Sequence, residues 1–226
     1  MTPSPVYAGL SPVDEEARRY SLGEEIASSV SHGVGALLGI AGLVLLIVFG
    51  VKHGGGLRVI AAVMMGVPLI LEFLFSTLYH ALTPKTAKSV FRVLDHCAIY
   101  LLIAGSYAPF ALITLGRSDG PTLLAIEWAL AIAGIVAEAF LRERQAPWTT
   151  TLVYLAMGWL VVLRLPILIE ALPAGALWLL IAGGLCYTVG VGFYLAKKVP
   201  YLHFVWHLFV LAGSICITLS ALIFVV

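Results

Sequence analysis

Hydrophobic positions fall into seven long blocks divided by short polar breaks. The apolar stretches run near residues 25–49, 57–82, 91–115, 121–141, 149–170, 174–197 and 201–226. A helix that crosses a bilayer needs about 20 such residues, and each block supplies roughly that many. Lys52-His53-Gly54-Gly55-Gly56 separates the first two blocks. Thr83-Pro84-Lys85 ends the second, Gly116-Arg117-Ser118-Asp119-Gly120 the third, and Arg142-Glu143-Arg144 the fourth. Ala171-Leu172-Pro173 ends the fifth and Lys197-Lys198 the sixth. Pro121, Pro173 and Pro200 fall at or just before a start, where a missing N–H costs nothing and the fixed φ suits a first helical turn. Barrel strands alternate over about 10 residues, whereas these runs are longer and uniformly apolar. The pattern predicts an all-α integral membrane protein: a seven-transmembrane helix bundle over residues 24–226, behind an N-terminal tail at residues 1–23.

Within the blocks, Pro68, Pro109 and Pro166 each remove one backbone hydrogen bond and should kink their helices. Gly35 and Gly39 recur at helical spacing, and Gly183, Gly184, Gly190 and Gly192 crowd the sixth block. Small residues let helix backbones approach closely. Packing within the chain is the expected use of Gly35 and Gly39, with a homodimer as the alternative. No inverted internal repeat is visible.

Composition agrees with the pattern. Hydrophobic residues make up 61% of the 226 and charged residues 11%, against about 25% charged in a soluble domain. Nucleic-acid binding, disorder and a disulfide-stapled secreted fold are excluded on those grounds. Cys97, Cys186 and Cys216 sit in apolar runs and read as small hydrophobes. Residues 1–23 carry Asp14, Glu15, Glu16, Arg18 and Arg19 and no apolar core, so no cleavable signal is expected.

The net charge of +1 points to no partner, but its distribution does. One set of alternate loops carries Arg18, Arg19, Lys85, Lys88, Arg92, Arg142, Arg144, Lys197 and Lys198. The other carries Lys52, Arg58 and Arg117. Nine against three places the N-terminus in the cytoplasm and the C-terminus outside.

Ionisable residues inside a bilayer cost at least about 2.5–3.5 kcal/mol each, so each needs a reason. The candidates are Glu72, His80, Asp95, His96, Glu127, Glu138, Arg164, His203 and His207, with His32 early in the first span. On the predicted topology His80 lies near the cytoplasmic end of span two. Ser76 lies one turn deeper on the same face, and Glu72 one turn deeper again. Asp95 is about one turn into span three. His203 and His207, at i and i+4, face one side of the first two turns of span seven. Three spans thus bring polar groups to one depth, in an arrangement that suits Zn2+. Three neutral imidazoles at tetrahedral geometry leave a fourth position for water. Asp95 would hold that water, and Ser76 would bond to it or to a developing oxyanion.

Plainer readings exist for each residue. A lone membrane histidine is usually a hydrogen-bonded packing residue; the pair with a third histidine and an aspartate at matched depth favours a metal. Ser76 could bond its own backbone, and Asp95 could pair with Arg92. His96 points about 100° from Asp95, towards a neighbouring helix, and Cys97 about 200° away. Glu72 is a proton relay, a supporting partner of the site, or a protonated core residue. Glu127 and Arg164 read as a structural ion pair, and Glu138 as a solvated residue near Arg142.

The motifs at these positions resemble the hemolysin III family, within the progestin and adiponectin receptor superfamily related to alkaline ceramidases. They are Glu24-Glu25-Ile26 with Ser31-His32-Gly33, Ser76-Thr77-Leu78-Tyr79-His80, and Leu94-Asp95-His96. Ala104-Gly105-Ser106-Tyr107-Ala108-Pro109 and His203-Phe204-Val205-Trp206-His207 complete the set. The resemblance spans nearly the whole chain. It implies seven helices, an inside N-terminus, and zinc on His80, His203 and His207 with Asp95 and Ser76 beside it. It also implies a hydrolytic activity on lipid amides, in a bacterial inner membrane, with membrane lipids as partners and substrate. The competing expectation is a non-enzymatic sensor, an ion-balance regulator or a cytolytic pore with structural zinc, in which Glu72, Glu127 and Arg164 line a pathway.

Overall fold

The computed structural model describes residues 20–141, 147–196 and 199–226. Seven helical spans, each long and apolar enough to cross a membrane, account for almost all of them, and no strand occurs among the described residues. Spans one, two, six and seven are single helices, Leu22–His53, Gly56–Ala81, Ala174–Leu195 and Leu202–Phe224. Span three is the helix Lys85–Ser106 followed by a π-helical turn at Phe110–Thr114, and span four is Gly116–Leu141. Of the tail anticipated at 1–23, residues 1–19 lie outside the described residues. So do Arg142, Arg144, Lys197 and Lys198 of the loop-charge count.

The expected kinks take three forms. The span-two helix continues through Pro68. Pro109 stands where α-helix gives way to the π turn. Span five breaks into Pro147–Trp159, a 3-10 segment at Leu160–Arg164, and Leu165–Ala171, with Pro166 in the first turn of the last piece. Tyr107 bridges this break. Its hydroxyl donates to the Met157 carbonyl at 2.7 Å and accepts from the Val161 N–H at 3.0 Å. Carbonyl and N–H groups left by an interrupted helix thereby find partners without water, as a membrane interior demands.

Each span packs against its sequence neighbours, and the first meets the seventh, so the bundle closes on itself. Its outside is apolar: Leu37, Phe140, Leu163 and Trp178 are among many large side chains left exposed. Its inside holds Ser28, His32, Glu72, Ser76, His80, Asp95, Glu127 and His207, all buried. That distribution inverts the soluble pattern and suits a lipid solvent. Leu69, Phe73, Leu102 and Val210 form an apolar plug beneath His207. A larger core around Tyr107, Phe110, Leu123, Leu168 and Val225 fills the far end. At that end Arg58 of span two donates to the carbonyls of Val225 and Val226.

Gly35 and Gly39 pack within the chain. A Cβ on Gly35 would meet the Phe73 ring at 2.7 Å, and one on Gly39 would meet Ile70 at 3.2 Å. Span two therefore covers the face that carries Gly35 and Gly39. Gly192, by contrast, has open space around it. Alanine is the better helix former by about 1 kcal/mol. Gly192→Ala should therefore leave thermal unfolding in detergent unchanged or raise it. Gly35→Ala should lower stability by about 1–3 kcal/mol through overpacking.

Candidate metal centre

Span one begins with a capping box. The Glu24 N–H donates to Ser21 Oγ at 3.3 Å, and the Ser21 N–H donates to Glu24 Oε2 at 2.9 Å. Such a box satisfies two of the N–H groups a helix start leaves open. The other Glu24 oxygen accepts the Tyr201 N–H. Tyr201 is the N-cap of span seven and takes a φ of 63°, a region a tyrosine seldom adopts. The acceptor from span one offsets that cost. His203 and His207 follow in the first two turns, and the Tyr20 ring stacks on His203 at 4.5 Å. A cap on the first helix thus sets where the last helix starts.

His80, His203 and His207 come together at this end of the bundle. Each offers one ring nitrogen, and the three lie within 4.8 Å of one another. Nε2 of His203 is 3.3 Å from Nε2 of His80 and 3.1 Å from Nε2 of His207. Tetrahedral zinc with Zn–N bonds of about 2.0–2.1 Å separates its ligand nitrogens by about 3.3–3.4 Å. The spacing therefore fits such an ion. The tautomer fits as well. His80 Nδ1 lies 2.7 Å from Glu25 Oε2, and a carboxylate only accepts, so Nδ1 carries a proton and Nε2 is the nitrogen turned to the other rings. Glu25 Oε1 accepts from Lys88 Nζ at 2.7 Å. No cysteine joins the set; Cys97 Sγ turns to the Ile135 carbonyl of span four.

Asp95 and Ser76 are buried on spans three and two, and the Asp95 carboxyl interacts with the Ser76 hydroxyl and electrostatically with His96 and His80. Ser76 bonds no backbone carbonyl. Glu72, behind Asp95, is buried with Oε2 unpartnered. His32 contributes a fourth imidazole, stacked on His207 at 3.8 Å and edge-on to Phe73 at 4.9 Å. Neither of its nitrogens has a hydrogen-bond partner. It packs against a candidate ligand rather than joining the three nitrogens.

Two expectations about the other ionisable residues need correction. Arg164 pairs with Asp119, Nε to Oδ1 at 3.3 Å, and not with Glu127. Glu127 is fully buried beside Tyr107, and neither carboxyl oxygen has a hydrogen-bond partner. The two residues point to different neighbours. Glu138 is buried rather than solvated, and its Oε1 lies 3.0 Å from His96 Nδ1. His96 faces span four, as its angular offset predicted.

Glu25 and Lys88 are contacts that pattern reading missed. Glu25 stood in a quoted motif without a role, and Lys88 entered only the loop-charge count. Both lie at the same helix ends as His80, which was the available signal. They also line a half-open cleft of about 560 Å3 between the start of span one and the 80–88 region. Leu22, Ile26, Val30 and Leu82 form its apolar wall, and His80 lies at its edge.

The family model described as "Haemolysin-III related" matches residues 20–218. "Hemolysin-3" of Bacillus cereus is 46% identical over 202 residues, 89% of this chain and 92% of that protein. "Hemolysin-3 homolog" of Bacillus subtilis (strain 168) is 43% identical over 195 residues, 86% of this chain and 91% of that protein. "Monocyte to macrophage differentiation factor" of Homo sapiens is 32% identical over 165 residues, 69% of this chain and 66% of that protein.

Because His96 pairs with Glu138 rather than with the three imidazoles, Glu138→Ala should cost about 1 kcal/mol of stability, the net worth of a part-buried hydrogen bond. Metal uptake by that variant should be unchanged. Loss of metal would tie His96 to the centre.

Proposed function

The chain belongs to the haemolysin-III-related family of multi-pass membrane proteins, and from that premise we propose that it is a zinc-dependent hydrolase acting on a lipid-like amide or ester. The convergence of three imidazole Nε2 atoms beside a buried carboxyl and a buried hydroxyl carries the reading. A structural zinc normally takes four protein ligands; three with an open side suit catalysis. Zinc held by His80, His203 and His207 supplies Lewis-acid polarisation and brings the pKa of water to about 7.

The remaining roles belong to the chain. Asp95 takes the proton from the attacking water as the C–O bond forms. It returns that proton to the leaving nitrogen or oxygen as the acyl bond breaks. The Ser76 hydroxyl donates to the substrate oxygen as negative charge develops there. The apolar plug below His207 keeps water from the far end, and the cleft beside His80 offers an acyl chain lateral access from the leaflet. The loop-charge asymmetry supports reading that leaflet as the cytoplasmic one, and the likeness to the Bacillus proteins supports a bacterial inner membrane.

The conducting alternative asks Glu72, Glu127 and Arg164 to line one pathway. Arg164 is instead paired with Asp119, which weighs against it.

Purified protein should carry about one zinc per chain. The double variant His203→Ala/His207→Ala should lose both the metal and turnover of a ceramide-like amide. Asp95→Asn should keep the metal and lose about 10²–10⁴-fold in turnover. Amide turnover that persists in the metal-free double variant would refute the mechanism.

A further inference from the structure

We infer that Glu25 is a positioning residue for metal binding, held in turn by Lys88, and that this pair sets the affinity of the centre from span one. The inference rests on the reading of His80, His203 and His207 as metal ligands.

Each oxygen of the Glu25 carboxylate serves one partner. Oε2 takes the His80 Nδ1–H at 2.7 Å and Oε1 takes Lys88 Nζ at 2.7 Å. The side chains of His80, Glu25 and Lys88 are 0%, 13% and 10% exposed, so solvent screens the three poorly. They come from three different spans. An imidazole can present either nitrogen and either tautomer, and in the wrong one it would push an N–H at the cation. An acceptor-only group fixed on Nδ1 removes that option. A ligand histidine supported in this way typically owes 10–100-fold in metal affinity to its partner.

Lys88 gives the inference a sign that packing alone would not. With Glu25 present, its ammonium is neutralised. With Glu25 replaced by alanine, His80 loses its orienting group and Lys88 loses its counter-charge, keeping the Tyr79 ring 5.0 Å from its ammonium, beside a cation site. Removing Lys88 as well takes away the second fault and leaves the first. The double variant should therefore bind metal more tightly than the single one. If Glu25 and Lys88 only braced the fold, each further loss of side chain would weaken binding.

The test measures Zn2+ affinity of the full chain in detergent micelles by chelator competition. The absorption of Co2+ in the same proteins reports coordination. Expected affinities fall in the order wild type, Glu25→Gln, Glu25→Ala, with a 10–100-fold loss at the last. Glu25→Ala/Lys88→Ala should recover part of that loss. Glu25→Gln keeps the acceptor and the volume, so it still answers if Glu25→Ala does not fold. Wild-type affinity in Glu25→Gln and Glu25→Ala, with none in His80→Ala, would overturn this inference and leave the metal reading intact. A double variant weaker than Glu25→Ala would overturn it too. Failure of the wild-type protein to take up Zn2+ would overturn the metal reading itself.

Discussion

Polar groups inside a bilayer have no water to fall back on, so each must find its partner in another helix. In this bundle such groups collect at one end, where three imidazoles, two carboxyls and a serine hydroxyl gather among spans two, three and seven. An apolar surface forces the ionisable residues inward, and the plug around Phe73 and Val210 keeps this group at its level. Between helices in lipid the hydrophobic term is small, so these contacts act alongside close van der Waals packing.

Span one contributes no nitrogen to the three-imidazole set, yet it organises the set. Glu24 caps its own helix and receives the N–H of Tyr201, so the register of span seven is tied to the start of span one. Glu25, the next residue, turns to His80 and Lys88. Tyr20 and His32 of the same segment lie against His203 and His207. Adjacent carboxylates thus serve different helices. Gly35, further along, allows span two to approach closely enough for this to work.

The common level of the three imidazoles was legible in the sequence, and the partners of most other ionisable side chains were not. Apolar blocks located the seven spans, and counting turns from their ends brought His80, His203 and His207 to one level. Span three starts at Lys85, six residues before its apolar block, so Asp95 lies nearly three turns in rather than one. The same counting failed for Glu127 and Arg164. Arg164 faces Asp119, about two turns nearer the start of span four than Glu127, and Glu127 faces Tyr107. Glu138 was misjudged for a related reason. Nearness to Arg142 in sequence suggested solvent, whereas the packing of span three on span four supplied His96. Rotation of a helix about its axis depends on every neighbour it touches, and residue spacing within that helix says nothing of it. The division of span five into three pieces was equally hidden. Pro166 signalled an interruption, but the 3-10 segment before it depends on Tyr107 reaching across from span three.

X-ray absorption at the zinc edge on the purified, metal-loaded protein tests the central claim most directly. The account predicts three imidazole nitrogens at about 2.0–2.1 Å and one oxygen neighbour at a similar distance. Sulfur in the coordination shell, an all-oxygen shell, or an unchanged spectrum after replacement of His80 would contradict it.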